Sequence, residues 1–112
     1  MTITNTMIAI PLDVGLLSKN FEDTNQFEVF IIDDNHKILK QSTVTIPIAG
    51  KSDIIGDWLT SLGINKVFVS RKDKDAHKIM KEHDIEIINV DNENDPEKII
   101  WEYVKSKQEE TV

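Results

Sequence analysis

Three cationic side chains stand where the chain leaves one element and enters a helix. Lys51 precedes Ser52 in the segment Ala49-Gly50-Lys51-Ser52, and Arg71 and Lys72 follow Ser70. A helix start exposes free N–H groups and the positive end of the helix dipole, so basic residues there suit a bound anion. Three carboxylates, Asp13, Asp33 and Asp34, suggest two-metal chemistry, but Asp33-Asp34-Asn35-His36 has the composition of a tight turn. His77 and His83 lie six residues apart, about 240° around a helix, so a regular helix cannot aim both at one ion. There is no cysteine, which removes disulfides, thiol nucleophiles and protein-held thiolate sites for zinc or iron–sulfur clusters. No phosphate-binding glycine loop, G-x-G-x-x-G or nucleophile elbow is present.

The elements that would position these residues read as follows. Thr2 to Thr6 carries no pattern and is expected to form a flexible leader (residues 1–6). Met7 to Ile10 is an apolar run that fits a buried strand ending at Pro11. Asp13 to Gln26 lacks periodicity and reads as a long loop. Phe27 to Ile32 and Lys37 to Ile46 form a hairpin across the Asp33–His36 turn. Ile54, Ile55, Trp58, Leu59 and Leu62 make a helical stripe, with Ser52 or Asp53 able to cap its start and Gly63 its end. Lys66 to Val69 is a strand, Ala76, Ile79, Met80 and His83 share a helix face, and Ile85 to Ile88 is the next strand. Asp95-Pro96 opens a last helix with stripe residues Ile99, Ile100, Tyr103 and Val104, leaving Trp101 off the stripe. Residues 107–112 are expected to fray.

The order β-β-β-α-β-α-β-α demands an α/β fold in which single helices connect parallel strands and the hairpin supplies one antiparallel strand. That is a three-layer α/β/α sandwich around a mixed five-stranded sheet, one domain over residues 7–106. Ligands of such sheets sit beyond the carboxyl ends of the parallel strands. The loop after the first strand, the Lys51-Ser52 loop and the Ser70-Arg71-Lys72 loop are all expected at that rim.

The 112 residues carry a net charge of −7, the wrong sign for general nucleic-acid binding. The charge is uneven: −3 over residues 1–48, +2 over 49–83 and −6 over 84–112. No apolar run exceeds the four residues of Val29 to Ile32, far below a membrane span. Nothing resembles a secretory leader, and a cytoplasmic protein is expected.

Met7-Ile8-Ala9-Ile10-Pro11, then Ser18-x-Asn20-Phe21, then Phe27-x-x-Phe30-Ile31-Ile32-Asp33 resembles the opening of the dinitrogenase iron–molybdenum cofactor biosynthesis family. Leu62-Gly63-Ile64, Lys66 to Val69 and His83-Asp84-Ile85-Glu86-Ile87 continue the likeness in register to about Val104. The resemblance implies a ribonuclease-H-like sandwich and a non-enzymatic protein that binds or carries an iron–molybdenum or related metal–sulfur cluster. Members commonly show S-x-H-F-G in the first loop and a glycine-rich turn after the fourth strand. Here Asn20 and Glu22 stand at the histidine and glycine positions, and Ser70 to Asp73 replaces the turn. The expected ligand-binding set is therefore Asn20, Phe21, Lys51, Ser52, Ser70, Arg71 and Lys72, holding an anionic cluster or another small anion without cysteine ligands. The alternative is a divergent member that has lost the cluster and works as an interaction or anion-sensing module. In that case Trp101 would mark a contact with a protein partner or a second copy.

Overall fold

A computed structural model describes residues 5–18, 24–46, 52–91 and 95–110. The strands are β1 (Thr6–Asp13), β2 (Leu16–Leu17), β3 (Gln26–Ile32), β4 (Ile38–Thr45), β5 (Lys66–Ser70) and β6 (Glu86–Val90). The helices are α1 (Ser52–Ser61), α2 (Lys74–Glu82) and α3 (Pro96–Glu110). The main sheet runs β4-β3-β1-β5-β6, with β2 paired to β1. β3 is antiparallel to both its neighbours, whereas β1, β5 and β6 pair in parallel. This is the five-stranded mixed sheet the sequence demands, with one antiparallel strand and β2 added.

Strand alternation sends two cores to opposite faces. Ala9, Phe27, Val29, Val67 and Val69 pack under Ile55 and Leu59 of α1 and Ala76, Ile79 and Met80 of α2. Ile8, Ile10, Phe30, Ile32 and Phe68 pack under Ile99 and Ile100 of α3. The layers are therefore α1 with α2, the sheet, and α3. Phe27 and Phe30 are wholly enclosed, each contributing roughly 1.5–3 kcal/mol by burial.

Helix ends follow local chemistry. Gly63 has φ +86°, its N–H bonds the Thr60 carbonyl, and the Ile64 N–H bonds the Leu59 carbonyl at 3.1 Å. This is the double closure that a left-handed residue permits after a helix. Asp73 caps α2 by accepting from the Ala76 N–H, and the Asp95 carboxylate accepts from the Glu97 N–H. The Asp33 carboxylate accepts from the N–H groups of Asn35 and Lys37, each at 2.9 Å, which accounts for the acidic hairpin turn.

Three expectations need correction. β1 does not stop at Pro11 but continues to Asp13. The Pro11 carbonyl accepts from the Ser18 N–H, so the proline nitrogen faces that same edge and no bond to β3 is lost. The stretch after β1 is not loop throughout. Val14 (φ +52°) and Gly15 (φ +78°) form a two-residue turn that pairs Asp13 with Leu16. Asn-Gly is the usual signal for such a turn, and a valine in the first place concealed it. Helix α3 also remains helical through Glu110, four residues into the stretch expected to fray. Gln108 Nε2 donates to the His36 carbonyl and ties those turns to the β3–β4 connection.

Candidate functional site

The carboxyl ends of β1, β4, β5 and β6 form one rim, where α1 and α2 begin. Ser70 ends β5, and Arg71 and Lys72 form the turn into α2. The Arg71 N–H bonds the Val90 carbonyl, and the Asp73 N–H bonds the Ser70 carbonyl. The Lys72 N–H reaches the Ser70 hydroxyl at 3.4 Å. The turn is thus fastened to the end of β6.

The expected site residues divide into two groups. Ser70, Arg71 and Lys72 are adjacent at the rim, and Ser52 begins α1 at the same end of the sheet. Asn20, Phe21 and Lys51 lie outside the described residues. The chain departs toward Asn20 and Phe21 from Ser18 and returns at Thr24. These two are almost wholly buried, and the Thr24 hydroxyl donates to the Ser18 hydroxyl at 2.7 Å. Ser18, noticed in the sequence as part of a motif, is therefore one half of a clamp that fixes both ends of that segment.

The charge at the rim is more balanced than the cations alone suggest. The Arg71 guanidinium hydrogen-bonds the Asp91 carboxylate, with both side chains more than half exposed at 62% and 56%. That hydrogen bond, helped by the opposite charge, raises the Arg71 pKa above its usual value. Exposed pairs of this kind are weak and screened by salt, so Arg71 can exchange partners. Lys72 is exposed and forms no ion pair among the described residues. At the start of α2 the N-terminal N–H groups already face a carboxylate, the Asp73 cap.

Two cavities lined by described residues adjoin this rim. One, of about 470 Å³, lies between β6 and α3 over Phe68, Ile88, Val90 and Tyr103, with Asp91 at its rim end. The other, of about 360 Å³, lies beside the β1–β2 turn. Glu28, Asp95 and Glu97 line it, and Glu28 accepts from the Thr43 hydroxyl at 2.9 Å. Sequence reading missed both, because Asp91, Asp95 and Glu28 come from three separate elements with no shared spacing.

Asp13 stands at the rim, whereas Asp33 and Asp34 stand at the other end of the sheet, where Thr6 pairs with Ile32. The carboxylates considered for two metals are thus separated. No group of three potential ligand residues suited to a metal ion occurs among the described residues. His83 ends α2, as its place on the stripe suggests. Its Nδ1 lies 3.5 Å from Asp57, and its ring fills the space left open by Gly56 of α1.

Most of the chain has counterparts among solved structures. The protein PH0822 superposes with a TM-score of 0.74 at 16% identity, covering 90% of this chain and 92% of its own. A Methanocaldococcus jannaschii protein provisionally named a dinitrogenase gives a TM-score of 0.64 at 24% identity, over 92% of this chain and 91% of that one. A Thermotoga protein provisionally named NifB gives 0.60 at 17%, over 92% and 90%. At these identities the likeness is one of fold. No protein-family model and no curated protein sequence matches the chain.

Proposed function

We propose that this chain is a non-enzymatic binding protein that takes a small anionic ligand, an iron–molybdenum or related metal–sulfur cluster being the leading candidate, at the carboxyl rim of its sheet. Arg71 and Lys72 would supply the charge, and Asn20, Phe21, Lys51 and Ser52 would flank the ligand. The observation that carries this reading is the Ser70–Lys72 turn, pinned to the end of β6 with one cation free of ion pairs among the described residues and another held only by a solvent-exposed partner. Fold neighbours of nearly the same length bear nitrogenase-type names, which favours a nitrogenase-related role. The fold alone does not fix the ligand.

A second reading is favoured by Asp73 and Asp91, which already satisfy the α2 start and Arg71. On that reading the anion site has been closed by the protein's own carboxylates, and the chain is an interaction module.

One titration separates the two. Molybdate and tetrathiomolybdate are added to the purified chain and binding is followed by calorimetry. The first reading expects saturable binding that weakens with salt and falls about tenfold in Arg71→Ala. Asp91→Asn should strengthen it by freeing the guanidinium. Heat no greater than an unrelated acidic protein gives, in wild type and Asp91→Asn alike, would leave the second reading standing.

A further inference from the structure

The end of the molecule opposite the rim carries a different kind of site. A cavity of about 280 Å³ lies between the β3–β4 connection and the last turns of α3. His36, Lys37 and Ile38 form one wall, and Trp101, Val104 and Lys105 form the other. Four features set it apart from ordinary surface.

First, Trp101 is 62% exposed. The stripe of α3 is completed without it by Ile99, Ile100, Tyr103 and Val104, so the fold has no packing need for an indole there. Second, charge of one sign is gathered around it. Lys105 Nζ stands 5.5 Å from the Trp101 ring centroid, and Lys37 lies on the facing wall. Neither lysine forms an ion pair among the described residues, and no carboxylate lines the cavity. One carboxylate is close, Asp33, but it is engaged by the N–H groups of Asn35 and Lys37 and is not among the residues that line the cavity. Third, His36 has φ +60°, and its Nδ1 is buried with no hydrogen-bond partner. Native structures rarely leave such an atom unpaired without some other demand on the residue. Fourth, the two walls touch, because Gln108 Nε2 donates to the His36 carbonyl at 3.2 Å.

We propose that this cavity binds a compact planar aromatic anion. The ring would lie against the Trp101 indole and the apolar surface of Ile38 and Val104. Its negative charge, carboxylate or phosphate, would sit between Lys37 and Lys105. The size admits one ring system with one acidic group and little more, at the lower end of small-molecule pockets. An aliphatic anion would forgo the stacking, and a neutral ring would forgo the lysines. The site shares no residue with the rim and does not depend on what binds there.

The test uses the full chain, isotope-labelled, with the Trp101 indole N–H and the Lys105 and Lys37 amides followed by NMR. The probes are benzoate and indole-3-acetate for the carboxylate arm, phenyl phosphate for the phosphate arm, and acetate, inorganic phosphate and neutral indole as controls. The expected result is saturable shifts at these three residues with at least one aromatic anion. Binding should be about tenfold weaker in Trp101→Leu, and about tenfold weaker in a Lys37→Gln, Lys105→Gln double variant. Both substitutions are at exposed positions, and dispersion of the remaining amide signals confirms that each variant is folded. The proposal is overturned if no aromatic anion saturates these signals, if acetate or neutral indole binds as tightly, or if the folded variants bind like the wild type.

Discussion

At the scale of single residues, backbone conformations and close approaches carry information that residue type alone conceals. Val14 holds φ +52° with 94% of its surface in water. A β-branched residue there bears roughly 1–2 kcal/mol of steric cost, and nothing packs against it in return. Gly56 is the opposite case. It is buried in α1 at an ordinary helical conformation, and a Cβ would collide with the His83 imidazole, which is seated at the end of α2. Gly56→Ala should therefore destabilise the protein by about 1–3 kcal/mol, despite the higher helix propensity of alanine. His83→Ala in the same chain should recover most of the loss. Urea unfolding of the two single variants and the double variant measures this, and simple additivity would refute the contact. The arrangement could not be read in the sequence. Gly56 and His83 are far apart in the chain and meet only because α1 and α2 share one face of the sheet.

At the scale of elements, Lys66 ties β5 to its neighbours. Its ammonium donates to the Tyr103 hydroxyl at 3.1 Å and lies 3.2 Å from the Glu86 carboxylate. Partial burial pulls the lysine pKa down, and the bonds to Tyr103 and Glu86 outweigh it, so the net shift is upward. A lysine pKa raised on folding contributes stability that is complete below its ordinary value of 10.5 and is lost as pH rises through the folded value. Lys66→Met should thus be less stable than wild type by about 0.5 kcal/mol near neutral pH. The gap should close in strong alkali. Paired urea curves at the two conditions give the sign, and a gap that widens with pH would contradict the hydrogen bonds. The turn at Val14-Gly15 belongs to this scale as well. The strand it starts has only two residues, too few for any periodic pattern, so a hairpin was indistinguishable from loop in the sequence.

At the scale of the whole molecule, the strand order β4-β3-β1-β5-β6 puts β1 at the centre, flanked by β3 and β5, with helices over both faces. β4 is an outer strand with six of its eight residues exposed, and a bulge interrupts its pairing at Leu39, between Lys40 opposite Ile31 and Ile38 opposite Ile32. A lysine, Lys40, and a bulge on an edge oppose strand addition by other chains. Stability should follow this layout. Amide hydrogens of Ile8, Ile10 and Val67 to Val69 should exchange only through global unfolding, and those of Leu39 and Lys40 orders of magnitude faster. Uniform protection across the sheet would contradict a graded molecule. No helix among the described residues is long and apolar enough to cross a membrane.

Local signals in the chain were enough for the layers and for every element except β2. Apolar spacing of 2 or 3.6 residues, an Asp-Pro start, a glycine stop and an Asx-type turn are local signals. Their order left little freedom beyond a mixed sheet between helices. Only the tertiary structure decided which charges face one another. Arg71 meets Asp91, and Glu28 of β3 lines one cavity together with Asp95 and Glu97 at the start of α3. It also brought His36 and Lys37 to Trp101 and Lys105 at the far end of the sheet. Secondary structure is fixed by neighbours in the chain. A binding site is fixed by where strand pairing and helix packing carry distant residues, and no spacing within a single segment records that.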